Sequence, residues 1–206
     1  MPYQLKQFST RMKWDIVALG FDPSLSRIGA AAAGRRGAQI IPLFAAWGDV
    51  EGKTRGEKIF NLGLEVDRIR DFFLEEYYAT GHMIGVENSF MGGDSDAFRT
   101  LIMAEAAIRR SMDFGSENFR AVSNSTWKSV ILGKPSSVGK KSWDKTDIEN
   151  ILREKYSVDI PFIDRGIWTR GKNKGQRKLE HNDSFDALGI ALYLLEADNK
   201  SYLTKT

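Results

Sequence analysis

Residues 16–23 read Ile16-Val17-Ala18-Leu19-Gly20-Phe21-Asp22-Pro23, an apolar run closed by an acid and a proline. A run this short, with no polar alternation, reads as a strand buried on both faces. Pro23, with its fixed φ and missing N–H, ends it. Two more strand-like runs follow at 28–33 and 40–46, split by the turn Gly34-Arg35-Arg36-Gly37. Three successive strands with short links predict an antiparallel meander.

Downstream the period changes. Ile59, Leu62, Val66, Ile69, Phe73 and Tyr77 recur three or four apart, which places an amphipathic helix over about 57–78. Met83-Ile84-Gly85-Val86 is a second buried-strand candidate and ends at Glu87. Phe98, Leu101, Ile108 and Met112 mark a second helix over about 95–112, and 120–123 supplies a fifth strand. Thr146 and Glu149 have the spacing of a capping box, opening a third helix that carries Ile148, Ile151, Leu152 and Tyr156. The stretch 165–178 is basic and glycine-bearing, a loop or loose hairpin, and a last helix starts near Asn182 with Phe185, Leu188, Leu192 and Leu195 on one side. The expected fold is α/β: a five-stranded mixed sheet with helices on both faces. It forms one domain over 15–197, after a polar basic arm at 1–14 and before a short tail at 198–206.

The composition narrows the chemistry. A 206-residue chain with 42% hydrophobic residues supports one sizeable core, and 28% charged residues are ordinary for a folded domain. Without cysteine there is no disulfide and no thiolate zinc site, and two histidines cannot build a histidine-rich centre. Any metal must sit on oxygen ligands, which favours Mg²⁺, Mn²⁺ or Ca²⁺. The net charge of +3 and clustered basic residues suit a polyanionic partner. No apolar stretch reaches the length of a membrane span, so a cytoplasmic protein of a bacterial or phage-infected cell is expected.

Four acids stand where a solvated surface explains them poorly. Asp22 and Glu87 close buried strands, while Asp183 and Asp186 open the last helix one turn apart. Singly, Asp22 before Pro23 is an ordinary turn residue and Asp183 an ordinary first-turn acid. Together they can converge at one sheet edge, where their mutual repulsion raises their pKa values unless a cation intervenes. Two Mg²⁺ ions, with Mn²⁺ able to substitute, would activate water and stabilise the leaving oxygen of a phosphodiester.

At these residues the chain resembles the RuvC family of Holliday junction resolvases, within the ribonuclease-H-like nucleases. Phe21-Asp22-Pro23-Ser24 with Ile28-Gly29 resembles its opening strand, and Val86-Glu87-Asn88-Ser89-Phe90-Met91 is similar to its E-x-x-F-M segment. Trp127-Lys128-Ser129-Val130 with Leu132-Gly133 resembles its V-K-x-x-V-x-G segment, and Asp183-Ser184-Phe185-Asp186-Ala187-Leu188 its closing helix. The resemblance implies that Asp22, Glu87, Asp183 and Asp186 are catalytic metal ligands. It makes Phe90 the aromatic that wedges into the junction, where the alternative is core packing. Lys128 and one of Lys140, Lys141 or Lys145 would lie near the scissile phosphate, where the alternative is a solvated face. It further implies a homodimer that cuts four-way and other branched DNA symmetrically, with the helix over 95–112 in the contact.

The arm and the basic segment about 157–180 have no clear counterpart in typical bacterial resolvases and point to a phage or viral variant. Arg165, Arg170, Lys172, Lys174, Arg177 and Lys178 there predict salt-sensitive phosphate contacts without base readout. His181 reads either as an aid to proton transfer or as an ordinary helix-start histidine. Other readings stay open at this point: a ribonuclease-H-like enzyme for RNA–DNA hybrids, an actin-like or sugar-kinase-like ATP-binding domain, and a silent DNA-binding module.

Overall fold

The computed structural model describes residues 3–9, 12–88, 95–112, 118–133, 143–171 and 173–203. In chain order the elements are β1 (Tyr3–Gln7), β2 (Trp14–Pro23), β3 (Arg27–Arg36), β4 (Gln39–Asp49), α1 (Arg55–Glu76), β5 (Ala79–Glu87), α2 (Ser95–Ser111), β6 (Phe119–Val122), α3 (Asn124–Ile131), α4 (Lys145–Tyr156), β7 (Ile163–Ile167), β8 (Arg177–Glu180) and α5 (Ser184–Leu203). The main sheet runs β1-β4-β3-β2-β5-β6. Strands β1, β4, β3 and β2 pair antiparallel, the expected meander plus one strand, while β5 and β6 continue parallel to β2. No helix among the described residues is long and apolar enough to cross a membrane.

The sheet thus has six strands where the sequence predicts five. The addition is β1, inside the polar arm: Tyr3 and Leu5 lie against the core, while Gln4 accepts a 3.1 Å hydrogen bond from the Trp47 indole. Five residues on a polar edge give periodicity too little to register. Helix α3 is also unforeseen. Ser123, read as the end of a strand, caps it by accepting from the Thr126 amide at 3.2 Å. The cap of α4 is Asp144, bonded to the Asp147 amide at 2.8 Å, and not Thr146. Glu149 is thereby released from the capping role that its spacing implied. Helix α5 runs on to Leu203, taking in residues expected as tail. The basic stretch is a hairpin, with β7 and β8 antiparallel.

Alternation along β2 decides what packs on each face. Val17, Leu19 and Phe21 join the core with Leu62, Val66, Ile69 and Phe73 of α1 and Ile108 of α2. Ala18 belongs to the opposite core, with Phe185, Leu188, Ala191 and Leu192 of α5, Trp127 of α3 and Leu152 of α4. That second face carries small residues, so α5 comes very close. A methyl group on Gly20 would stand 2.1 Å from the Ala187 carbonyl oxygen, and one on Gly29 would stand 2.4 Å from the Asp183 carbonyl carbon. Both glycines are there because nothing larger fits.

Gly20→Ala should therefore destabilise the protein by about 3 kcal/mol, the upper range for overpacking. Gly81→Ala, whose methyl would meet Ile16 only at ordinary contact distances from 3.6 Å, should stay within about 0.5 kcal/mol of the parent. Urea unfolding compares the two, and equal midpoints would contradict backbone contact between α5 and β2.

Candidate active site

The close approach of α5 brings the four acids together. Asp22 follows Ala18 and Gly20 on the face of β2 that meets α5, and Glu87 follows Gly85, whose position abuts Ile190 and Leu194 of that helix. The β2–β5 register reaches Phe21 opposite Val86, so the next residues along the two strands are Asp22 and Glu87. Gly29 holds the chain at Asp183 against β3. Burial pushes the Asp22 carboxyl well above the usual carboxylate range; the charges of Asp186 and Glu87, a hydrogen bond with Glu87 and the charge of Asp183 add to the shift. Asp22 thus lies within electrostatic reach of the other three, and Asp183 within reach of Asp186.

Each of the other three has a partner from elsewhere in the chain. The Asn124 amide donates to Glu87 Oε1 at 2.6 Å. Arg27 Nε lies 3.0 Å from Asp183 Oδ2. Burial raises the Asp183 pKa, opposed by the charges of Arg27, Lys145 and His181. Asp186 is held by His181 Nε2 at 2.7 Å, with Lys128 Nζ 3.7 Å from its other oxygen. The second ring nitrogen of His181, Nδ1, bonds Glu149 Oε1 at 2.6 Å. Burial disfavours the imidazolium, but the bonds to Asp186 and Glu149 outweigh it and raise the His181 pKa. Among the described residues, no three His, Asp or Glu side chains already stand as a metal-ligand set; the carboxylates turn to these partners instead.

Of the basic residues singled out in the sequence, Lys128 meets the acids directly and Lys145 acts on Asp183 through its charge. Lys178 lies against Glu180 at 3.2 Å and over the Trp168 ring, and Arg177 pairs with Asp164 across the hairpin. Arg170 and Lys174 are exposed in the connection between β7 and β8. Phe90, Lys140, Lys141 and Lys172 lie outside the described residues.

Sequence reading missed Arg27, Asn124 and the role of Glu149. Arg27 is brought back by a tight turn after Pro23, in which Ser24 Oγ accepts from the Arg27 amide at 2.9 Å. A basic residue returning on a short turn beside a candidate catalytic acid is a usable signal. Glu149 had another explanation in its apparent capping box, and Asn124 had no signal beyond its place after a strand.

A second ion-pair system fixes the hairpin. Arg165 contacts both Asp49 oxygens, at 2.7 and 2.8 Å, and Glu180 at 3.1 Å; Arg27 also reaches Glu180 at 3.1 Å. Hydrogen bonding from Arg165 holds the Asp49 and Glu180 carboxyls below their usual ranges, with Lys178 helping at Glu180.

Two outcomes follow. The side chains of His181 and Glu149 are only 6% and 2% exposed, so His181→Ala leaves a buried carboxyl without its partner and should cost about 3–5 kcal/mol. Adding Glu149→Leu should recover much of that loss in a double-mutant cycle by denaturant unfolding, and simple additivity would count against the pairing. For the hairpin, depressed carboxyl pKa values give stabilisation that is complete above the unfolded values and disappears as pH falls through the lower folded ones. Docking should therefore hold at neutral pH and fail progressively below about pH 4. The fluorescence difference between the parent and Trp168→Phe, followed from pH 7 to 3, reads this; a transition near neutrality would refute it.

The architecture can be set beside known structures. Thermus thermophilus RuvC in complex with a Holliday junction substrate superposes with a TM-score of 0.58 at 16% identity, covering 86% of this chain and 91% of the other. A second Thermus thermophilus RuvC structure gives 0.55 at 15% identity, covering 86% and 92%. No protein-family model matches the sequence, and no curated protein matches it. At such identities the fold is what is shared, and the fold of this chain is RuvC-like: a mixed sheet between two helical layers.

Proposed function

We propose that this chain is a metal-dependent, structure-selective endonuclease that hydrolyses phosphodiester bonds in four-way junctions and other branched DNA. One observation carries the reading: Asp22, Glu87, Asp183 and Asp186, from β2, β5 and the start of α5, meet at one end of a RuvC-like sheet. The RuvC neighbour bound to a Holliday junction substrate supports branched DNA as the ligand class.

The donor chemistry fits divalent Mg²⁺ or Mn²⁺. Four carboxylates supply only oxygen, and the upward push on Asp22 from its neighbours is the repulsion that a hard cation relieves. Asp22, Glu87, Asp183 and Asp186 would hold two such ions. When bound, they supply activation of a water and charge stabilisation of the leaving oxygen.

The chain's own groups do the positioning. Asn124 fixes one oxygen of Glu87, and His181 fixes one oxygen of Asp186. Both ring nitrogens of His181 are engaged, so it acts as a positioning residue and leaves no nitrogen for proton exchange with substrate. Lys128, 3.7 Å from Asp186, adds positive charge where a phosphate would approach. Exposed Arg170 and Lys174 extend that charge along the hairpin.

Two equivalent cuts in a four-way junction call for two sites related by a two-fold axis. The α1–α2 face suits a homodimer: Phe60 is 67% exposed, and Leu64 and Met103 are exposed with it around a groove floored by Gly63 and Ala107. An apolar patch of this kind marks an association surface.

The test is a metal-titrated cleavage assay on a mobile four-way junction, beside a linear duplex and an RNA–DNA hybrid. The junction should be nicked symmetrically, and only with divalent metal. Asp22→Asn should keep junction binding while cleavage falls by more than the ~100-fold that losing an outer-shell partner costs. Cutting retained in that variant would remove Asp22 from the site; preferential cutting of the hybrid would replace junctions as substrate, and nicking of one strand alone would count against the dimer.

A further inference from the structure

Beside the acids lies a cleft of about 560 Å³ that the nuclease reading has not used. Its walls bring together Arg27 of β3, Lys145 of α4, Arg165 of β7 and Lys178 of β8, against the carboxylates of Asp49 and Glu180. Four cations thus face Asp49 and Glu180, and with Asp183, which Arg27 also touches, one positive charge is left in excess. Glu180 alone receives three of the four: Arg27 at 3.1 Å, Arg165 at 3.1 Å and Lys178 at 3.2 Å. Arg165 is aimed by its two bonds to Asp49. The guanidinium groups are therefore already ordered, and an arriving anion would not have to immobilise them. The cleft also opens onto the acid cluster. Arg27 spans the boundary, touching Asp183 at 3.0 Å on one side and Glu180 on the other, and the charge of Lys145 reaches Asp183.

We propose that this cleft is a subsite for a backbone phosphodiester of the substrate strand, next to the one that is cut, and that the β7–β8 hairpin is the wall of the strand's path. The cluster's positive charge matches a phosphate group, which Lys145 and Lys178 at the rim would meet while Arg27 and Arg165 stay on their carboxylates. Arg27 touches both the acid cluster and the cleft, so a strand whose phosphate lies at the four acids would bring a neighbouring phosphate to the cleft. The choice of occupant rests on the nuclease reading, whereas the cation cluster does not.

Lys145 is exposed and the side chain of Lys178 is 36% exposed, so neutral replacements at this rim leave folding intact. Junction binding is measured against salt in full-length Asp22→Asn protein, with and without Lys145→Gln plus Lys178→Gln. The pair should weaken binding about tenfold near 0.1 M salt and reduce the slope of log K against log[salt] by about one, the signature of one lost phosphate contact. The melting temperature should stay unchanged. Glu180→Gln gives the opposite sign: it adds net positive charge to the cleft and should strengthen binding if the hairpin stays docked, which the Trp168 fluorescence reports. An unchanged slope in the lysine pair, or weaker binding by Glu180→Gln with its hairpin docked, overturns the proposal. So does a thermal shift caused by inorganic phosphate that the lysine pair abolishes without altering the slope, since the cleft would then take a free anion and not a strand. The two readings fail separately. A parent that cuts junctions with a slope indifferent to these lysines sinks the subsite alone, and one that binds through them yet never cuts sinks the nuclease alone.

Discussion

Gly20 and Gly29 let α5 settle on β2 and β3 until main chain meets main chain, and this contact decides where the charged end of the helix lies. A larger side chain at either position would lift the start of α5 away from the strand ends. Asp183 and Asp186 would then lose Asp22 and Glu87 as neighbours. The small residues on this face are thus a geometric requirement of the acid cluster as much as of the core, since interiors are close-packed and transmit such displacements.

Bringing four carboxylates into a partly buried corner is unfavourable, and the surrounding elements answer it by supplying counter-charges and hydrogen-bond donors. Arg27 comes from β3, Lys128 and Asn124 from α3, and the Glu149–His181 pair from α4 and the approach to α5. The helices on this face therefore do two jobs. Trp127, Leu152 and Leu188 close the core beneath, while polar residues on the same helices reach the acids. The pairing is incomplete at Asp22, where burial and three like-charged neighbours all push in one direction. That imbalance is what a cation would correct, and it falls on the acid that the other three all act upon.

The buried elements were legible because their sequences are periodic or continuously apolar: β2, β3, β4 and β5 and helices α1, α2 and α5 fall close to where patterning puts them. The acids were legible because they interrupt or end those patterns. Strand β1 and helix α3 were not, being five and eight residues long with mixed polarity, and both owe their structure to neighbours. Glu149 shows the other kind of failure. Thr146 and Glu149 have the spacing of a capping box, yet Asp144 had already capped the helix, and a local rule hid a long-range bond to His181. Arg27 was passed over because pairing across 156 positions, to Asp183, leaves no trace in local pattern.

The hairpin differs from the rest of the molecule in what holds it. Ile163 at the base of β7 packs against the core, but Ile167 and Leu179 are exposed, so beyond that base the attachment falls to Arg165, Asp49, Glu180 and Arg27. Ion pairs open to solvent contribute little stability and weaken with salt. They do, however, fix direction, because a guanidinium bonded on two edges cannot rotate freely. An element attached in this way is positioned without being strongly anchored. Since Arg27 belongs both to that attachment and to the acid cluster, any displacement of the hairpin is felt first at Asp183.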